Sequence, residues 1–199
     1  VRLNDRHGRS AGNIDIVLVA YDECGRILDF GSLEVQAVYI SGNIRRPFEF
    51  YMDDPARRHS MDWSHEVNYP RPDYLSSSRK RLAPQLIYKG GILKSWSKKQ
   101  AVALHRGFFD TLPPLKETDA QEADIAWLVY DLIQDQASRL YRLRLFRSVY
   151  TRFEDAIGQI TTPEPGPVEA FVGELQGRLD ALLGEEQNPP DAPTLDELL

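Results

Sequence analysis

The pattern of hydrophobic and polar positions in the first forty residues falls into two β-rich runs. GNIDIVLVAY (12–21) and RILDFGSLEVQAVYI (26–40) are rich in β-branched and aliphatic residues. They flank Asp22-Glu23-Cys24-Gly25, where a glycine offers a positive φ, so the pair predicts a β-hairpin. In the second run Leu33, Val35, Ala37 and Tyr39 share one face, and Val38 and Ile40 share the other with Glu34 and Gln36. A carboxylate in a core strand costs several kcal/mol unless something compensates it, so Glu34 needs a partner.

Further on, the residues from 41 to 76 are rich in Pro, Arg, Asp and Ser and predict a long loop with short elements. SSSRKRLAPQLIYK predicts a helix capped by a serine at 76–78, with Leu82, Leu86 and the stem of Lys89 inward and Gly90-Gly91 as terminator. QAVALH (100–105), DIAWLVYDLI (124–133) and LYRLRLFRSVY (140–150) predict strands, although Ile125, Leu128, Leu132 and Ile133 also fit a helical period. Residues 151–160 and 167–183 predict helices, the second on a stripe of Val168, Phe171, Val172, Leu175, Leu179, Leu182 and Leu183. From 185 on, EEQNPPDAPTLDELL predicts an acidic, proline-rich flexible tail, which leaves 1–184 as one domain.

Composition sharpens this picture in two places. A single cysteine, Cys24, excludes an internal disulfide or a cysteine-based metal cluster within these 199 residues and favours a cytoplasmic protein. The chain opens on Val1 with nothing like a signal peptide, as expected of a processed chain or a fragment of a longer one, and it carries no membrane-length apolar run. The net charge of −6 is unevenly spread: from Glu164 to the end there are nine acids and one base, so residues 1–163 carry 23 bases against 21 acids. Between Tyr74 and Phe109 there are eight Lys or Arg and no acid, a segment suited to a polyanion.

A two-residue loop at Cys24-Gly25 makes paired positions sum to 49, which sets Asp15 opposite Glu34; a loop one or two residues longer, or a bulge, would shift the pairing slightly and still leave Asp15 in need of compensation. Opposed side chains have Cβ atoms roughly 4.5–5.5 Å apart, and two carboxylates there repel unless a cation lies between them. Oxygen ligands of this kind suit Mg²⁺, which takes one or two carboxylates, keeps several waters and completes its shell with phosphate. Gln36 lies about 6.8 Å along the strand from Glu34 on the same face. The ligands expected from this pairing are Asp15 and Glu34.

The spacing Asp-x18-Glu-x-Gln resembles the PD-(D/E)xK nuclease signature with glutamine in place of lysine. The longer strings GNIDIVLVAYDECGRILDFGSLEVQAVYISGN and YPRPDYLSSSRKRLAPQLIYKGGIL resemble restriction endonucleases of the NotI type, over about residues 12–183. The resemblance implies an α/β fold, a restriction-endonuclease-like central mixed sheet flanked by helices. It further implies double-stranded DNA as substrate, Mg²⁺ as cofactor and Asp15, Glu34 and Gln36 as the active-site positions, with the Val35 carbonyl as a third metal ligand; two strands to be cut symmetrically suggest a homodimer. Candidate DNA contacts are Arg45, Arg46, Arg71, Arg79, Lys80, Arg81, Lys98 and Lys99. Enzymes of this type also carry an upstream glutamate and an iron-binding four-cysteine element. Neither is in this chain, where Asp5 is the only acid among residues 1–14. The rival expectation is therefore a DNA-binding protein that keeps the fold without cutting.

Overall fold

A computed structural model describes residues 1–135, 140–162 and 164–187. The chain divides into two compact units, Val1–Thr162 and Pro163–Leu199.

The first unit opens with a small antiparallel hairpin, β1 (Arg2–Asn4) and β2 (Ser10–Asn13). The expected continuous strand over 12–21 is broken at Ile14-Asp15, after which β3 (Ile16–Tyr21) begins; β4 (Ile27–Gln36) pairs with it antiparallel. The connection is one residue longer than expected, with Asp22 and Arg26 bonded across Glu23, Cys24 and Gly25, the last at φ 77°. A bulge that skips Leu28 absorbs the extra residue, so Ala20 faces Asp29 and Ile16 faces Leu33, which is the predicted register.

After β4 the chain forms β5 (Tyr39–Ser41), α1 (Arg45–Asp53), α2 (Pro55–Arg58) and β6 (Arg71–Asp73), β5 and β6 pairing with each other. α1 corrects the expectation of a mostly irregular segment. Its proline, Pro47, falls in the first turn, where no intrahelical N–H is required, so the proline-rich look of the stretch did not forbid a helix.

The next helical run is longer than its sequence suggested. Asp73, not a serine, caps it, its Oδ1 accepting the N–H of Ser76 at 3.0 Å. A π-helical turn (Tyr74–Ser78) leads into α3 (Arg79–Gln85), a second π turn (Leu86–Gly90) and α4 (Gly91–Ser95). Gly90-Gly91 does not end it. A Cβ at Gly90 would lie 2.7 Å from Gln100 Oε1 and 2.9 Å from the Phe153 ring, so glycine is there for close packing, and the run stops at Ser97 with φ 57°.

β7 (Gln100–His105), α5 (Arg106–Phe109), β8 (Ile125–Gln134), β9 (Tyr141–Thr151) and α6 (Phe153–Thr161) complete the unit. The mixed sheet runs β3-β4-β7-β8-β9, parallel at β4/β7 and β7/β8 and antiparallel at both edges. This is the expected α/β architecture of a restriction-endonuclease-like fold. Register sets Glu34 beside Val102 and Gln36 beside Leu104, with Trp127 and Val129 next across. Helices cover that face: Leu82, Leu86, Ala156 and Ile160 join Val102, Leu104, Ile125, Trp127 and Val129 in one buried cluster. Each buried Leu, Ile or Val among them contributes about 1.5–3 kcal/mol. Val35, on the opposite face, is exposed, so only the face bearing Glu34 and Gln36 is core.

The second unit contains α7 (Val168–Gln187), which runs past the expected end at Gly184. Residues 188–199, most of the expected tail, lie outside the described residues.

Asp124 fastens α4 and α6 to the start of β8. Both its oxygens accept from Lys94 Nζ at 2.9 Å and Oδ2 accepts the Phe153 N–H at 3.0 Å. Burial pushes its carboxyl up, but the Phe153 N–H and the Lys94 ammonium outweigh that and hold it below the usual carboxylate range. A depressed carboxyl stabilises above its unfolded pKa of about 3.9, and the contribution is lost as pH falls through the folded value. Asp124→Asn is therefore expected to cost about 1–2 kcal/mol at pH 7, and the gap to the parent should close as urea midpoints are followed from pH 5 toward pH 2. Gly90→Ala should lower stability by about 1–3 kcal/mol through overpacking, read from the same curves.

Candidate active site

The break between β2 and β3 sets Asp15 against the backbone of β4 at the residue next to Glu34. Asp15 sits just before β3 begins, exposed, and its Oδ2 accepts the Val35 N–H at 2.9 Å. The side chain thus takes up a donor of β4 just beyond the last paired residue of β3. Extending the register by one residue places Asp15 against Glu34, as predicted. Glu34 is 3% exposed and Gln36 7%. The Gln36 Nε2 donates to the Ala37 carbonyl at 3.0 Å, which anchors the amide locally.

Glu34 has a partner that sequence reasoning did not assign to it. Lys89, from the second π turn, is only 5% exposed, and its Nζ donates to Glu34 Oε2 and, at 2.7 Å, to the Asn13 carbonyl. The signal was present: Leu82, Leu86 and Lys89 follow the i, i+4, i+7 spacing of one helix face, and a lysine on an apolar stripe beside a sheet carrying a buried acid pairs with it. Burial raises the Glu34 carboxyl above its ordinary value. The hydrogen bond and charge of Lys89 pull it back, the negative charge of Asp15 adds to the rise, and the nearby backbone N–H of Asp15 works against it.

Glu34 Oε1 is buried without a hydrogen-bond partner. That oxygen, together with the exposed Asp15 carboxylate, is a donor set that fits a hard divalent cation with most of its shell made of water and substrate oxygen. Among the described residues no group of three or more His, Cys, Asp or Glu could hold a metal ion, so two carboxylates are what the chain offers at this point.

The candidate DNA contacts fall into separate groups. β5 follows β4 directly, and Arg81 lies over the Tyr39 ring at 4.4 Å while Arg71 on β6 lies 5.8 Å from the Tyr69 ring. Both are exposed, at the same end of β4 as Gln36. Arg45 and Arg46 open α1 in the segment that follows β5, Arg45 paired with Glu49 at 2.8 Å. Lys80 is exposed; Arg79 is half-buried and donates to the Thr111 carbonyl. Lys98 and Lys99 precede β7 at the opposite end of the sheet, about 10 Å or more along the strand from the residue beside Glu34. Lys98 pairs with Asp29 at 2.5 Å, and Lys99 donates to the Ala120 and Gln121 carbonyls at 2.7 and 3.0 Å.

The family model of restriction endonuclease NotI matches residues 1–143. The chain belongs to that family. The match takes in Asp15, Glu34, Gln36, Lys89 and every candidate DNA contact, and it stops short of the residue near 183 to which the resemblance was expected to reach. A comparison with curated proteins finds no match.

Because Lys89 is buried on Glu34, truncating either one strands the other. Glu34→Ala should lose about 3–5 kcal/mol of stability, and Glu34→Ala with Lys89→Met should recover most of it, a non-additivity that thermal unfolding of the four proteins would measure.

Proposed function

From membership of the NotI family we propose that this chain hydrolyses phosphodiester bonds of double-stranded DNA at a specific sequence, with Mg²⁺ held by Asp15, Glu34 and the Val35 carbonyl. The observation that carries this reading is the hydrogen bond of Asp15 to the N–H of Val35, the residue next to Glu34, whose Oε1 is buried and without a partner, at the end of the sheet where Arg71 and Arg81 are exposed. When bound, the ion would supply a low-pKa water and charge stabilisation at the scissile phosphate.

The chain's own residues supply the rest. Asp15 is held by the Val35 N–H, so its orientation is fixed before DNA arrives. Glu34 is held by Lys89. Gln36 is neutral at all working pH values and can orient a water or a phosphate oxygen but cannot take its proton. Arg71, Lys80 and Arg81 are exposed and placed to neutralise backbone phosphates. The enzyme acts in the cytoplasm as a homodimer, since a duplex presents two strands related by two-fold symmetry.

One observation favours the rival reading, a DNA-binding protein that does not cut. The Lys89–Glu34 pair compensates the buried carboxylate without any cation. The two readings separate on incubation of purified protein with plasmid and genomic DNA in Mg²⁺, followed by end mapping. Defined ends support the enzyme, and binding without any cleavage supports the rival.

Asp15→Asn, which leaves the Glu34–Lys89 pair in place, should lower the cleavage rate at least 100-fold with DNA affinity in Ca²⁺ held within about threefold. Cleavage at the parent rate would remove Asp15 from the site. Lys80→Ala with Arg81→Ala should weaken binding to all sequences and reduce the slope of log K against log salt by about 1–2, measured by anisotropy.

A further inference from the structure

Lys89 ties together the two segments that carry the carboxylates. Its Nζ reaches the Asn13 carbonyl, two residues before Asp15, and Glu34 Oε2 on β4; Asp15 reaches back to the N–H of Val35, the residue after Glu34. The result is a closed ring in which three hydrogen bonds and two short chain segments link Lys89, Asn13, Asp15, Val35 and Glu34. The lysine is presented by a π-helical turn, a winding that recurs at functional sites because it re-aims one side chain without breaking the helix.

Stability alone does not account for such a pair. An apolar side chain at each position would continue the Leu82–Leu86 face into the core without desolvating two charges, and replacements of that kind are often neutral or stabilising. The pair also leaves Glu34 in an unusual state, with Oε2 engaged and Oε1 buried and unbonded. Two carboxylates and one ammonium sum to a single negative charge. A divalent cation would turn that into a single positive charge, matched to one phosphodiester; without the lysine the same assembly would be neutral. Gln36 carries no charge with which to make up the difference.

We propose that Lys89 is a positioning residue of this site: it turns Glu34 so that Oε1, together with Asp15, faces the cation, and it adds a fixed positive charge behind that carboxylate. The proposal rests on the cation-dependent reading of the site given above. Its sign is opposite to that of a merely structural lysine. A fixed ammonium behind the ligand repels a cation and withholds one oxygen from it, so its removal should tighten cation binding while slowing cleavage.

The test uses the full chain with Mn²⁺ as probe, titrated by electron paramagnetic resonance, in the parent, Lys89→Met and Lys89→Gln. The second variant is neutral but keeps a donor for Glu34 and Asn13, and it carries the test if Lys89→Met does not fold. Both variants should bind Mn²⁺ at least threefold more tightly than the parent. Their cleavage should be at least tenfold slower, and their DNA affinity in Ca²⁺ should stay within threefold. A folded variant with unchanged or weaker Mn²⁺ affinity, or with parental cleavage, would overturn the role of Lys89 and leave the cation reading standing. A parent protein that binds no Mn²⁺ would overturn both.

Discussion

A carboxylate on the helix-covered face of a sheet has to be compensated, and much of this molecule's local design follows from the way Glu34 is compensated. It lies in the same buried layer as Val102, Leu104 and Trp127, where desolvation of a bare charge would cost several kcal/mol. Lys89 offsets that cost for one oxygen and leaves the other buried without a hydrogen bond. To bring the ammonium there, the helical run after Asp73 winds through a π turn, continues past Gly90-Gly91, and packs so closely on Phe153 and Gln100 that residue 90 has no room for a side chain. The same contact reaches Asn13, so the strand break that places Asp15 is tied to the helix as well.

Register is the second constraint. A shift of one residue between β3 and β4 would move Glu34 and Gln36 to the open face and bring Leu33 and Val35 into the core, with no carboxylate near Asp15. The hairpin loop by itself sets a different pairing, Asp22 with Arg26. The bulge at Leu28 corrects it within two residues, and from Ala20–Asp29 onward every pair is in the frame that aligns Asp15 with Glu34. Site geometry therefore depends on a local irregularity far along the strand from the residues it positions.

Those features divide by how local their causes are. Strand identity was legible because the β-rich composition of 12–21 and 26–40 and the alternation over 140–150 are properties of consecutive residues, and the Asp15–Glu34 alignment followed from simple counting. The sequence allows a longer loop and allows a bulge, but does not show that the two occur together and cancel, which leaves the count unchanged. The cap moved from the serines to Asp73 because π winding starts the helical run earlier than an α-helical pattern allows. Gly90 read as a terminator because its neighbours in space, Phe153 and Gln100, are distant in sequence. Lys89 was noticed as an inward-facing stem, but its charge was assigned no acceptor, since a buried acid on a strand has no sequence mark that distinguishes a lysine partner from a cation.

The acid-free window from Tyr74 to Phe109 illustrates the same limit for electrostatics. Its eight basic side chains suggested one broad polyanion surface, because sequence counts charge without regard to where it is spent. Lys89 is committed to Glu34, Lys94 to Asp124, Lys98 to Asp29, and Arg106 to Asp110 and Asp131; Lys99 and Arg79 hold backbone carbonyls. A side chain in such a contact gives up an existing partner when it turns to a phosphate, so its net gain is smaller than that of a solvated one. Lys80 and Arg81 remain exposed on α3, and Arg81 lies over Tyr39, on the strand that follows directly from β4 and its site residues. The window marks the right segment of chain, but the charge within it does two kinds of work. Most of it ties elements of the fold together, with Lys89 alone doing so at the carboxylates, and the small exposed remainder, joined by Arg71 from β6, is the part proposed to meet a phosphate backbone.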